Sequence, residues 1–313
     1  MDSVHDRLVG MENSRVLVSG STGFLGTALV AVLKEAGFSP ARLLRSQRSF
    51  PEETFPWNPA ESRLDPAHLE DFEAIIHLSG ENVADGVWTR DKKHKILQSR
   101  IDSTRLLVEG LRRVSKKPAV LLCASAIGWY GNRGTEILPE SEPCGRGFLA
   151  DVAREWEKEA CRAKEYGIRV IKLRLGLVLD SYGGALPRIL TPFRLGLGGP
   201  LSDGSQYVSW ITLRDTLNAI LFLMTSTKVE GPANLCAPGP VTNAEFSTQL
   251  GKALNRPALI PTPAFALKLS LGDMAKELLL SSIRAEPKAL LDQGFEFQDP
   301  KIEGAFQTLV EVL

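Results

Sequence analysis

The spacing of apolar and polar positions divides this chain into elements. Residues 15–19 (RVLVS) are a short apolar run of strand type, and 24–36 carry a helical pattern closed by Gly37. A second strand is predicted over 41–45. The stretch 46–66 reads as irregular, because Pro51, Pro56, Pro59 and Pro66 interrupt it. Residues 74–78 are again an apolar strand. A long helix follows over 90–113, with Leu97, Ile101, Thr104, Val108 and Leu111 at steps of four and three. Then come a strand at 119–124, a helix at 147–166 and a strand at 169–178. Strands alternating with helices imply an α/β fold, a doubly wound parallel sheet covered on both faces. Beyond about residue 180, Gly and Pro become denser and the helical stretches shorter. The expected organisation is a loose extension over 1–14, a sheet domain over 15–180 with parts of 205–240, and a smaller α/β substrate or lid portion over 181–204 and 241–313.

The first strand runs into GSTGFLG, which places Gly20, Gly23 and Gly26 at steps of three before a helix. Glycine permits a tight turn and close approach of main chain to ligand. The new helix offers unpaired N–H groups and the positive end of its dipole to a pyrophosphate. Strand, glycine loop and helix in first position are the Rossmann-type dinucleotide arrangement. Gly20, Thr22, Gly23, Phe24, Leu25 and Gly26 are therefore expected to bind cofactor. A Walker A loop is excluded, since no Lys-Ser/Thr follows the last glycine. The second strand ends in RLLRSQRS, without the acidic residue that would hold a ribose 2′-hydroxyl. Arg45 and Ser46 there point to a 2′-phosphate, hence NADP(H) rather than NAD(H).

Composition narrows the partners. Among 313 residues Lys+Arg and Asp+Glu both number 37, so net charge argues for neither nucleic acid nor an anionic membrane surface. No apolar run approaches a membrane span, and the N-terminus lacks a signal-peptide h-region. Cys123, Cys144, Cys161 and Cys236 form no C-x-x-C, so neither a zinc site nor a disulfide framework is expected. A reducing, cytoplasmic location is the default.

The motifs resemble the extended short-chain dehydrogenase/reductases of the NAD-dependent epimerase/dehydratase superfamily. Beyond GSTGFLG, IIHLSGEN (75–82) is similar to the strand-end segment that passes under the cofactor. LLCASAIGWYG (121–131) resembles the strand carrying the active-site Ser. KLRLGLVLD (172–180) and GSQYVSWITLRD (204–215) match two later segments. SGEN, SAIGWYGNRG, FRLGLGGPLSDG and the tail from Arg256 resemble a narrower group, called epimerase family proteins or SulA-like sugar-nucleotide epimerases. These carry a DUF1731 tail, here about 256–303. The resemblance implies cofactor contacts at Leu78, Ser79, Gly80, Glu81 and Arg174.

One part of the family pattern is absent. Hydride-transfer members use Tyr-x-x-x-Lys, in which Lys one helical turn on lowers the Tyr pKa. Tyr130, Tyr166, Tyr182 and Tyr207 are followed four residues later by Gly134, Val170, Leu186 and Ile211. Aligned through Trp156 and Glu157, the two slots fall near Phe148 and Val152, on an apolar stripe with Trp156 and Ala160. Arg100 replaces the family's Asn and is expected to take over part of the Lys role toward the cofactor. Glu81 is read as its partner, as a base or as a plain loop carboxylate.

Ser125 and Tyr130 remain as catalytic candidates, Ser125 alternatively bonding backbone and Tyr130 alternatively lining the pocket. Arg174 is expected to face the crevice. Phe193 and Trp210 wall the substrate side or belong to the core, and His77 reads as a satisfied buried residue. Two functions stay open: an NADP(H)-dependent oxidoreductase or nucleotide-sugar epimerase acting on an unknown small molecule, and a non-catalytic NADP(H)-binding regulator, linked to cell division by the subfamily's labels. The basic outer faces of helices 90–113 and 147–166 imply a monomer or weak dimer.

Overall fold

The computed structural model describes residues 13–46 and 48–311, so the expected extension over 1–14 falls outside it except for Asn13 and Ser14. The first half builds β1 (Arg15–Ser19), α1 (Phe24–Glu35), β2 (Ser39–Leu44), β3 (Glu53–Asn58), β4 (Arg63–Leu64), β5 (Ala74–His77), α2 (Arg90–Arg113), β6 (Val120–Ala126), β7 (Ile137–Leu138) and α3 (Phe148–Cys161). The second half builds β8 (Arg169–Leu175), β9 (Leu177–Leu179), α4 (Leu186–Arg194), β10 (Tyr207–Val208), β11 (Trp210–Thr212), α5 (Leu213–Thr225), β12 (Gly231–Leu235), β13 (Val241–Thr242), α6 (Asn243–Ala253), α7 (Ala264–Leu271), β14 (Arg284–Ala285), α8 (Lys288–Leu291) and α9 (Ile302–Glu311).

Eight strands form one sheet in the order β12-β8-β6-β5-β1-β2-β3-β4, parallel except for the β3–β4 pair. The alternation of strand side chains divides the core in two. Val16, Val18 and Ile76 face Leu29, Leu33, Leu217 and Ile220 on the α1/α5 side. Leu17 and Ile75 face Leu107, Leu111, Trp156 and Ala160 on the α2/α3 side. From β1 the chain passes to β2 on one side and later returns to β5 on the other. The crevice beyond the ends of β1 and β5 is thus the switch point where such sheets bind ligands.

The structure departs from the expected elements in three places. Part of the proline-rich stretch is strand: β3 runs parallel to β2, with Pro56 opposite Leu44 near the sheet edge, where a missing N–H costs least. The strand predicted over 169–178 breaks at Gly176 into β8 and β9. The helix predicted over 147–166 ends at Cys161 and continues as a 3₁₀ turn, Arg162–Tyr166. The outer faces of α2 and α3 are also less basic than they read, because ion pairs join Arg105 and Arg162 to Glu159 (2.7 and 2.9 Å) and Arg154 to Asp151 (2.8 Å).

The C-terminal tail is built into the fold. Asp215, fully buried at the start of α5, accepts hydrogen bonds from the backbone of Gln298 and Asp299, both 2.9 Å, and so fixes the segment entering α9. Phe306 of α9 packs on Phe246 of α6 in an apolar cluster that includes Trp210 and Phe193. Both aromatics are therefore core residues. Asp215→Ala leaves the N–H groups of Gln298 and Asp299 without their acceptor, the second of them buried, and should lower the unfolding free energy by roughly 1–3 kcal/mol. Urea denaturation measures that loss, and hydrogen exchange should rise first in residues 297–306.

Candidate functional site

The glycine loop is a backbone-to-backbone junction. Gly20 has φ +70°, and a Cβ there would lie 2.8 Å from the carbonyl of Leu78 and 2.9 Å from Ser79 N. A Cβ on Gly26 would collide with the Gly20 carbonyl oxygen, so α1 starts pressed against the loop that precedes it. Gly23 is the N-cap of α1 and offers no side-chain hydrogen bond to the first turn. Gly23 thus gives the N–H groups of that turn no capping side chain, which is the arrangement an anionic diphosphate needs. Thr22 and Gly23 are exposed, and Phe24 and Leu25 are half-buried. The Phe24 ring lies against Gly183 and Gly184, where a Cβ would meet it.

Support for the loop comes from residues that the sequence did not single out. Arg42, buried in β2, donates 2.7 Å to the Ser21 carbonyl and 2.8 Å to Glu52, and stacks on Phe50 at 4.3 Å. Burial alone would raise the Glu52 carboxyl, but Lys34 and Arg42 bring it down to about 2. Only tertiary structure sets Glu52, one residue ahead of β3, beside Arg42 of β2, and no local pattern signals that. Arg45 and Ser46 lie just past β2, exposed.

Beneath the loop, His77 is fully buried. Its Nδ1 lies 2.6 Å from Ser19 Oγ, and its Nε2 lies 3.0 Å from Thr104 Oγ1 and 3.3 Å from Ser103 Oγ. Ser79 donates to Ser19 (3.1 Å), extending the chain to the crevice floor. Desolvation lowers His77 to about 3, so it is a neutral structural ring, as its sequence context suggested.

Arg100 of α2 packs on the loop after β5, and the Glu81 carboxylate is not its hydrogen-bond partner. The guanidinium packs against Gly80, where a Cβ would come within 3.1 Å of Cζ, and over the Trp156 ring at 4.8 Å. Nη1 donates to the carbonyls of Glu81 (3.0 Å) and Ile96 (2.9 Å). The Glu81 carboxylate pairs instead with Lys92, at 2.6 Å. Burial lowers Arg100 to about 10, with Glu81 opposing, so it stays cationic at neutral pH. Val152 and Trp156 are buried as the apolar stripe requires, and Phe148 packs edge-on against Trp88.

The remaining catalytic candidates are engaged inside the protein. Ser125 Oγ donates to Glu157 Oε1 (2.8 Å) and is 2% exposed. Arg174 does not face the crevice: it is 2% exposed, with Nε and Nη2 donating to the two oxygens of Glu157 at 2.8 and 3.1 Å. Tyr130 is fully buried, donates to Asn234 Oδ1 (2.8 Å), and accepts from Arg174 Nη1 (3.0 Å). Burial, opposed by Arg174, pushes the phenol up to about 12. The hydrogen bonds of Tyr130 and Ser125 are thus made inside the protein. Each hydroxyl proton already serves a buried acceptor, and the aligned slots offer no Lys. Ser125, Tyr130 and Arg174 instead lock β6, α3, β8 and β12 around Glu157.

Folded His77 titrates near 3, whereas the unfolded side chain titrates near its ordinary 6.5. Between these values only the unfolded chain takes the proton, so stability rises with pH across the window and falls as the solution is acidified through it. The slope expected from this residue is about 1.4 kcal/mol per pH unit. Urea unfolding of the wild type and of His77→Gln at pH 7 and pH 5.5 measures the difference, and the variant should lack this share of the slope.

Comparison with known proteins matches these features to one family. The model of the NAD dependent epimerase/dehydratase family covers residues 16–236, and the domain of unknown function DUF1731 covers 262–309. The epimerase family protein Mb2239 of Mycobacterium bovis is 39% identical over 92% of this chain and 94% of its own length. The crystal structure of human epimerase family protein SDR39U1 (isoform 2) with NADPH superposes with a TM-score of 0.89 at 30% identity, covering 96% of this chain and all of that one. The nucleoside-diphosphate sugar epimerase of Corynebacterium glutamicum gives a TM-score of 0.81 at 30% identity, over 98% of this chain and 61% of that chain. With the switch-point crevice and the glycine junction in place, the chain belongs to the NAD dependent epimerase/dehydratase family, in the form that carries a DUF1731 tail.

Proposed function

We propose that this protein binds NADP(H) in the crevice beyond β1 and β5, and that its chemistry does not use the family's Tyr–Lys proton relay. The start of α1 behind Gly23 carries the reading, since it suits a diphosphate and has no capping side chain at its N-cap. Arg45 and Ser46, exposed past β2 with no acidic residue beside them, would take the 2′-phosphate. The relative crystallised with NADPH supports the choice of cofactor. When bound, the nicotinamide would supply hydride exchange. Leu78, Ser79 and Gly80 would form the floor, and Arg100, held over Gly80 by two carbonyls, would present its remaining N–H groups to ribose or phosphate.

A second reading is a binding protein without turnover, perceiving the dinucleotide and passing its state to a partner. The buried positions of Ser125 and Tyr130 favour it, because neither can move a proton to a substrate without breaking the Glu157–Arg174 network. Stopped-flow oxidation of bound NADPH with carbonyl compounds and nucleotide sugars separates the two readings.

Fluorescence titration should show NADPH binding at least tenfold tighter than NADH in the wild type, and Arg45→Ala should remove most of that preference. Arg100→Ala should weaken both cofactors severalfold. Tighter binding of NADH would refute the 2′-phosphate assignment, and unchanged affinity in Arg100→Ala would remove Arg100 from the site.

A further inference from the structure

A cavity of about 470 Å³ opens between the loop after β6, the N-terminal end of α3, the 202–206 turn and the C-terminal tail. We propose that it binds a compact phosphate monoester of a small polar molecule, and that it is not a nucleotide-sugar site. Arg146, Lys268 and Lys276 line it from three separate segments. Among the described residues, none of their charged groups has a hydrogen bond or an ion-pair partner. The two acidic residues of the lining are engaged. Glu277 accepts the backbone N–H groups of Phe148 (2.8 Å) and Leu149 (2.9 Å), and Asp203 accepts the N–H and hydroxyl of Ser205 (3.1 and 2.9 Å). These donors are neutral, so both carboxylates keep their charge, and the three cations leave the lining with a net charge of +1.

Arg146, Lys268 and Lys276 are exposed, so solvent screens their mutual repulsion, and an anion shared among them gains attraction from three segments at once. A phosphate dianion matches this set: the Arg fork gives paired N–H donors, and the two lysines add point charge. The hydroxyls of Ser202 and Ser281 on the wall suit the polar remainder of such a ligand.

The lining contains no aromatic side chain. A nucleobase would have no ring to stack on, and base–aromatic stacking contributes roughly 1–3 kcal/mol per base where it occurs. Lys268 and Lys276 belong to the tail and Arg146 to the sheet domain, so the ligand would bridge the two. The proposal does not require the neighbouring crevice to hold NADP(H).

The test is isothermal titration of the full chain, with and without saturating NADPH, using inorganic phosphate, a hexose 6-phosphate, citrate and UDP-glucose. The hexose phosphate should bind saturably and more tightly than the other three. Arg146→Ala and the double variant Lys268→Ala/Lys276→Ala should weaken it at least tenfold, and Lys268→Arg/Lys276→Arg should restore it. NADPH affinity, read on the same samples, should stay within twofold and tests the dinucleotide reading separately. Tighter binding of UDP-glucose or of citrate, no saturable binding of either phosphate probe, or affinity unchanged in the alanine variants would overturn the proposal.

Discussion

Three stretches of main chain meet beyond the ends of β1 and β5, and this contact sets the geometry of the dinucleotide crevice. Gly20 turns left-handed against Leu78 and Ser79, while Gly26 of α1 presses on the Gly20 carbonyl. No side chain fits at either junction, so the start of α1 is held by sterics and not by a cap. Its first N–H groups therefore have no capping side chain at Gly23, the arrangement that the proposed diphosphate contact uses. Arg42 holds the Ser21 carbonyl from the far side, and His77 ties Ser19 to Thr104 beneath. The loop is thus fixed from three directions before any ligand arrives.

Where relatives with Tyr-x-x-x-Lys place a proton relay, this chain has an apolar stripe on α3 and a buried ionic cluster beside it. Glu157 takes both arms of the Arg174 fork, the Ser125 hydroxyl and, at 3.3 Å, Lys172. A buried carboxylate with this many donors is satisfied, and its partners cannot be withdrawn singly without stranding a charge. The same residues that a motif search would assign to catalysis thereby become joints between β6, α3, β8 and β12. Arg100, beside the Gly80 loop, has carbonyl oxygens and an indole face as its partners.

The C-terminal tail completes the molecule. Residues 282–285 run between the loop after β6 and β10–β11: Ser282 bonds Asn132, Gly134 and Tyr207, and the Ser209 hydroxyl joins Ile283 to Ala285. Further back in the tail, Glu277 caps α3 at Gly147, whose lack of a side chain lets the carboxylate approach. The helix that has lost its catalytic pair is therefore started by a residue about 130 positions away, and the cavity with the unpaired cations lies at that seam.

Much of the architecture was legible in the chain, because it rests on local repetition. Apolar periodicity marked β1, β5 and α2, the last to both of its ends, and the glycine spacing located the crevice. The absence of Tyr-x-x-x-Lys could also be read directly, since it is a statement about neighbours four apart. Tertiary structure decided what each remaining polar side chain does. Arg174 alternates along β8 in a pattern compatible with either face, and only Glu157 on α3 shows it turned inward. Tyr130 follows a strand end as a catalytic residue would, yet Asn234, more than a hundred residues later, accepts its hydrogen bond. Glu52 and Glu277 have no sequence signature, and the motif that ends in Asp215 does not name its partners, because all of these partners come from distant segments. Local pattern fixes which residues form an element, but the role of a charge depends on the charge or dipole that folding places beside it.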